Sequence, residues 1–159
     1  MQPMRSTPTS DQPAADLHPV NPARIQATLT EFWTELAAAA VQIAAQDHLA
    51  AHARLTRLRT LVLVCMVGLN GVDLPENLDG IAGLLGPSQR AAIQKTLAAP
   101  KVAGSAWVGQ AVALVVIYRW YAPQLVEKFD LAYPHQVEAQ TLAALHDLLP
   151  NWPQTITSA

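Results

Sequence analysis

His48 and His52 stand four residues apart in an alanine-rich stretch, and on a helix that spacing puts both imidazoles on one face. Two imidazoles so placed suit two positions of a zinc site. The glutamate that a metalloprotease helix carries after its first histidine is missing, since Leu49 stands there. A third ligand would have to reach the pair through the fold, from Asp47, His135 or His146. Glu31 and Glu35 are also four apart, and paired carboxylates can serve acid–base or di-metal chemistry. A di-iron bundle uses Glu-x-x-His on two helices, and no such pair occurs: the residue three after Glu138 is Thr141. Cys65 lies inside the apolar run Leu61–Val67 and reads as a small buried hydrophobe. No Gly-x-Ser-x-Gly elbow and no phosphate-cradling glycine loop is present. Gly104-Ser105 precedes a hydrophobic run and reads as a helix cap. These residues name no reaction, no metal and no cofactor, so a non-enzymatic protein is expected.

Recognition is the other chemistry side chains can do. Tyr118, Arg119, Trp120 and Tyr121 form an aromatic cluster around one arginine, with Trp107 on the same run. Aromatic residues and arginine dominate interface hot spots, so these five are expected at an interface or in internal packing. Arg119 has Glu127 or another acid as its expected partner.

Residues 86–101 carry Arg90, Lys95 and Lys101 and no acid. Gln89 and Gln94 share the segment, and both can read base edges. Before it come Ile81, Ala82, Leu85 and Gly86, then Pro87 and Ser88 opening a second helix. This arrangement over residues 79–98 resembles the helix-turn-helix motif of bacterial DNA-binding proteins. The resemblance implies that Ile81 and Leu85 face a core, that Ala82 lets two helices approach, and that Gly86 takes a positive φ. Leu58, Leu61, Val62 and Cys65 would supply the third leg of a trihelical core. It further implies that Ser88, Gln89, Arg90 and Gln94 approach bases while Lys95 and Lys101 meet phosphates. Arg54, Arg57 and Arg59 on the preceding helix would add phosphate contacts. In the family, apolar side chains recur four and seven residues after the serine. Those positions are Ala92 and Lys95 here, and the apolar residues are Ile93 and Leu97. An ordinary helical hairpin with a solvated face is the plain alternative.

The elements that must position these residues are all helical. Asn21-Pro22 is a favoured helix start, and Ile25, Leu29, Phe32, Leu36 and Ile43 then form one apolar stripe reaching towards Asp47. A second helix covers about Leu49 to Leu69 and stops at Asn70-Gly71. Asn77 or Asp79 caps a short helix to Leu85, and Pro87 opens another to about Ala98. A long hydrophobic helix runs from about Ser105 towards Tyr121, with Pro123 expected to kink it rather than end it. Pro134 opens the last, whose apolar face holds Val137, Leu142, Leu145, Leu148 and Leu149. The expectation is all-α: five to six helices in one domain over residues 21–150, a disordered tail at 1–20 and a C-terminal tail at 151–159.

Composition narrows the partners. Hydrophobic residues make up 51% of the chain and charged ones only 14%, against about 25% in an average domain. A large core, an oligomer interface or both should follow. A net charge of -2 removes any whole-molecule attraction to nucleic acid, leaving only a local basic patch. The uncharged run from Val102 to Tyr118 is shorter than the about 20 residues of a spanning helix and is diluted by Gly104, Ser105, Gly109 and Gln110. No apolar signal core opens the chain, so a cytoplasmic location is expected. The expected function is a small DNA-binding or DNA-associated accessory protein, a homodimer with double-stranded DNA as partner. The alternative is a helical protein–protein interaction module, an adaptor or inhibitor without nucleic-acid contact.

Overall fold

A computed structural model of the chain describes residues 17–97 and 101–156. Five α-helices and one 3-10 turn make up the described residues: α1 (Pro22–Ala44), α2 (His48–Leu69), the turn Ile81–Leu84, α3 (Pro87–Lys95), α4 (Gly104–Phe129) and α5 (His135–Leu148). The expected all-α class is what the chain adopts. No strand forms among these residues; Pro19 and Val72 make an isolated bridge.

The starts of α1 and α2 follow from their caps. The Asn21 side chain accepts from the Ala23 amide and Pro22 sits in the first turn, while Asp47 accepts from the Ala50 amide at the start of α2. Between them Gln46 takes a left-handed φ of 58°, which folds α2 back on α1. α2 begins at His48, one residue before the expected Leu49.

α2 is amphipathic only in its first half. From Leu61 to Gly68 every residue is buried, because α1 and α4 both pack against this length of it. Gly68 is where α1 comes closest: a Cβ there would lie 2.6 Å from Ile25 Cδ1. α5 packs on α1, and α4 runs on through Pro123 to Phe129.

An aromatic knot ties three helices. Phe32 of α1 stacks on Tyr118 of α4 at 4.1 Å between centroids, and Trp33 meets the same ring edge-on at 5.2 Å. Trp33 Nε1 donates to Tyr118 Oη at 3.1 Å, and that hydroxyl donates to the Leu29 carbonyl at 2.9 Å. Thr141 of α5 donates to the Trp33 carbonyl at 3.2 Å. Burial pushes the Tyr118 phenol well above its ordinary pKa, so it stays a neutral donor.

The ends differ from expectation. Residues 1–16 of the expected N-terminal tail lie outside the described residues, but 17–20 belong to the fold: Val20 donates to the Gly71 carbonyl and Asp73 to that of His18. Residues 151–156 are also tied to the fold. Trp152 is buried, and the Ile156 carbonyl accepts from Arg119. The helical pattern stops at Pro150, but burial of an indole does not need a helix. No helix among the described residues is long and apolar enough to cross a membrane.

Two outcomes follow. Tyr118→Phe strands the Trp33 indole N–H in the core, so chemical denaturation should show a loss of about 1–3 kcal/mol; an unchanged midpoint would rule out the hydrogen-bond chain as a support. Cys65 is fully buried and its thiol pKa is pushed from 9.0 up to about 12. The raised value means that its contribution is intact below 9.0 and is lost as pH climbs from there towards 12. Unfolding midpoints should therefore fall across that window, and less so in Cys65→Ala.

Candidate functional site

α3 is a short helix and brings little apolar surface of its own. Gln89 and Ile93 are its buried residues, with Thr96 buried just beyond its end. Its attachment to α2 is largely polar. Gln89 Oε1 accepts from the Gly86 amide at 2.9 Å, closing the first turn, and from Asn70 Nδ2 at 2.7 Å. Asn70 Nδ2 also donates to the Leu84 carbonyl, and Gln89 Nε2 lies 3.3 Å from the Met66 carbonyl. Two amide side chains thus join the C-terminus of α2, the 3-10 turn and the N-terminus of α3.

The other end is held by Arg59. Its Nε donates to Thr96 Oγ1 at 2.9 Å and its Nη2 to the Thr96 carbonyl at 2.8 Å, capping the carbonyl end of α3. Burial lowers the Arg59 pKa from its ordinary value, although guanidinium stays charged at physiological pH. Among the described residues no carboxylate lies within ion-pair distance of it. A half-buried cation here has only neutral acceptors.

Held off at both ends, α3 leaves an open groove of about 250 Å³ between itself, the 3-10 turn and α2. Leu63, Ile81, Leu85, Ile93 and Leu97 make it apolar, and Arg59 and Arg90 stand at its edges. Leu97 is 62% exposed, large for a leucine beside a concave apolar surface.

The expected DNA-facing residues divide. Ser88, Arg90, Gln94, Lys95 and Lys101 are exposed. Gln89 is 8% exposed and turned into the protein, because its amide closes the first turn of α3. Arg54 pairs with Glu35 at 3.2 Å, and Arg57 pairs with Glu31. The carboxylates weighed for acid–base chemistry therefore neutralise the arginines weighed for phosphate contact. Gly86 does not take a positive φ: at φ -68°, ψ 164° it is an extended N-cap, and the left-handed glycines are Gly71 and Gly80. The element before Gly86 is a four-residue 3-10 turn rather than an α-helix.

Of the expected interface residues only Trp120 is at the surface, 56% exposed. Tyr118 belongs to the aromatic knot and Tyr121 is buried. Arg119 pairs with Glu138 at 2.6 Å, not with Glu127, and lies 5.8 Å from the Trp33 ring. Trp107 is buried, and its Nε1 donates to His48 Nδ1 at 2.9 Å, with the His52 ring 6.0 Å away. The two histidines do share a face, but His48 spends a nitrogen on the indole. No group of three or more metal-binding side chains occurs among the described residues.

The sequence assigns no site role to Asn70 or the groove leucines: Asn70 reads only as a helix end and Leu85 only as a core position. One signal existed: Ile93 and Leu97, four apart, form an apolar pair one position off the helix-turn-helix register. That pair lines the groove. No protein-family model matches the chain, and neither curated proteins nor solved structures give a match.

Because Gln89 serves three partners at the joint, Gln89→Ala should loosen α3 alone. Hydrogen exchange at α3 amides should quicken about tenfold to a hundredfold, as loss of buried hydrogen bonds worth about 1–3 kcal/mol implies. Uniform quickening through α1, α2 and α4 would show instead that the clip supports the whole fold.

Proposed function

We propose that this protein is a non-enzymatic helical interaction module whose groove between α2 and α3 receives a segment of a partner protein. The segment is apolar on one face and carries carboxylates beside it. One observation carries this reading: an open apolar groove edged by Arg59, a half-buried cation without a carboxylate partner, and by Arg90. A partner carboxylate at Arg59 would gain a charge-assisted hydrogen bond in a partly desolvated setting, where such bonds are worth most. Apolar side chains of the segment would cover Leu97 and fill the groove, which is the physics of helix-in-groove recognition. Its volume is below the about 300–1,000 Å³ of small-molecule sites and suits a few aliphatic side chains.

A second reading, DNA contact, is favoured by a separate observation. Arg90, Gln94 and Lys95 are exposed on α3, Lys101 follows, and residues 80–126 contain no acid at all. Such a face suits phosphates, although the pairing of Arg54 and Arg57 leaves it with fewer cations than the helix-turn-helix resemblance implied.

The two readings separate cleanly by mutation. A short amphipathic peptide with leucines at helical spacing and flanking glutamates, titrated into isotope-labelled protein, should shift the amides of Leu63, Leu85 and Leu97. Leu97→Asp should weaken that binding about tenfold or more, since it puts a charge in an apolar contact. Duplex DNA at low salt is the matching probe. Binding of DNA that survives Leu97→Asp but disappears in Arg90→Ala/Lys95→Ala would replace the interaction reading with the DNA one.

A further inference from the structure

Among the described residues, one face of α4 has no packing partner. α1, α2 and α3 pack against the helix elsewhere, and Gly109, Ala113, Val116 and Trp120 are half-buried or exposed. Spaced four, three and four apart, they fall within about 60° of arc on one side of the helix. Nothing lies within 4 Å of the position a Cβ would take on Gly109. The stripe carries no charge until Glu127 near the helix end, and Lys101 stands just before the helix start.

We infer that α4 pairs antiparallel with α4 of a second copy of this chain, about a two-fold axis level with the Leu114–Val115 peptide bond. Three independent properties of the stripe are satisfied by that arrangement. The first is shape. A two-fold at this height sets Trp120 over Gly109 of the second copy and Val116 over its Ala113, large on small both times. The missing Cβ of Gly109 then gives the indole room to lie close to the backbone.

The second is charge. The same axis brings Lys101 at one end of the stripe to within one residue of the level of Glu127 of its counterpart, twice per dimer, while Lys128 at that level is turned away to the Leu69 carbonyl of its own chain. A parallel pair would set Lys101 against Lys101 and Glu127 against Glu127. The third is the helix dipole. α4 has no side-chain cap on its first amides and no acid in its first turn, while its last turn holds Glu127 next to Lys128, whose ammonium is turned to the Leu69 carbonyl of α2. Antiparallel pairing sets the Glu127 carboxylate beside the amide end of the second helix, supplying the acid that end lacks. A closed two-fold of this kind is also the commonest symmetry among soluble oligomers.

Sedimentation equilibrium of the full chain is the test. Wild type should sediment with the mass of two chains at micromolar concentration and above. Gly109→Leu should sediment as one chain while circular dichroism stays helical, since the added side chain meets open space in the single chain and leucine is the better helix former. Lys101→Glu and Glu127→Lys should each weaken the dimer about tenfold, because every reversal turns two attractions into repulsions. The double reversal should restore it. Wild type that stays a single chain throughout, a Gly109→Leu variant that still pairs, or a double reversal no tighter than the single ones would each overturn the antiparallel pair.

Discussion

The fold depends on one buried hydroxyl. Tyr118 Oη accepts a hydrogen bond from the Trp33 indole N–H and donates one to the Leu29 carbonyl, with no exposure to water. Each group would be costly to bury alone, by about 1–3 kcal/mol. Joined in series they are all satisfied, and the two rings are then free to pack with Phe32 as apolar bodies. The chain of donors also sets geometry. It fixes the height of α4 against α1, and Thr141 extends the same network to α5. An all-apolar knot of the same volume would resist sliding less, because dispersion is not directional and these hydrogen bonds are.

α3 is attached by a different principle, and its character follows from that. Asn70 and Gln89 hold one end, Arg59 the other, and only Ile93 and the buried face of Thr96 sit between. Polar end-fastening positions a helix without bringing its flank into close packing. The apolar side chains of the 3-10 turn and of α3 therefore face one another across a gap instead of closing it. A groove of this origin persists in the free protein at low cost, since closing it would break the hydrogen bonds at either end. The same fastening uses the amide of Gln89 and the Nε and Nη2 of Arg59, two residues that a reading of the local sequence assigns to an external ligand, so a partner carboxylate would meet Arg59 at its Nη1 edge.

How much of this was legible in the sequence depends on the range of the interaction. Local rules worked at Asn21-Pro22 and Asn70-Gly71, which mark helix ends through bonds between residues a few positions apart, but α1 stops at Ala44 short of the expected Asp47, which caps α2 instead. Apolar spacing marked the stripe of α1. Pairings that cross the fold were not legible. Glu31 and Glu35 look like a catalytic pair until α2 brings Arg57 and Arg54 against them, and the histidine pair looks like a metal face until Trp107 arrives from 59 residues away. Tyr118 and Trp120 sit two apart with similar chemistry, yet one is at the centre of the core and the other at the surface. Helical periodicity separates the two by 200°, but only the positions of α1 and α2 decide which side is inside. The C-terminal segment failed for a related reason: prolines at 150 and 153 rule out helix, and burial of Trp152 is set by α4 and α5, not by its neighbours.

The low charge content has a physical consequence that links the two exposed apolar features. Among the described residues four cations are paired with carboxylates: Arg24 with Asp73, Arg54 with Glu35, Arg57 with Glu31 and Arg119 with Glu138. Much of the charge is thus spent on stitching helices together. What remains near α3 and α4 is almost wholly positive or apolar, since no acid lies between Asp79 and Glu127. A surface of that kind is poorly solvated along α4 and unbalanced around α3. The two defects call for different remedies. Along α4 the stripe is self-complementary in size and in end charge, so a second copy corrects it. Around the groove no carboxylate among the described residues pairs with Arg59 or Arg90, and a copy of the same surface would set cation against cation. The balancing acid there has to come from a different molecule, and that asymmetry separates a surface suited to self-association from one suited to a partner.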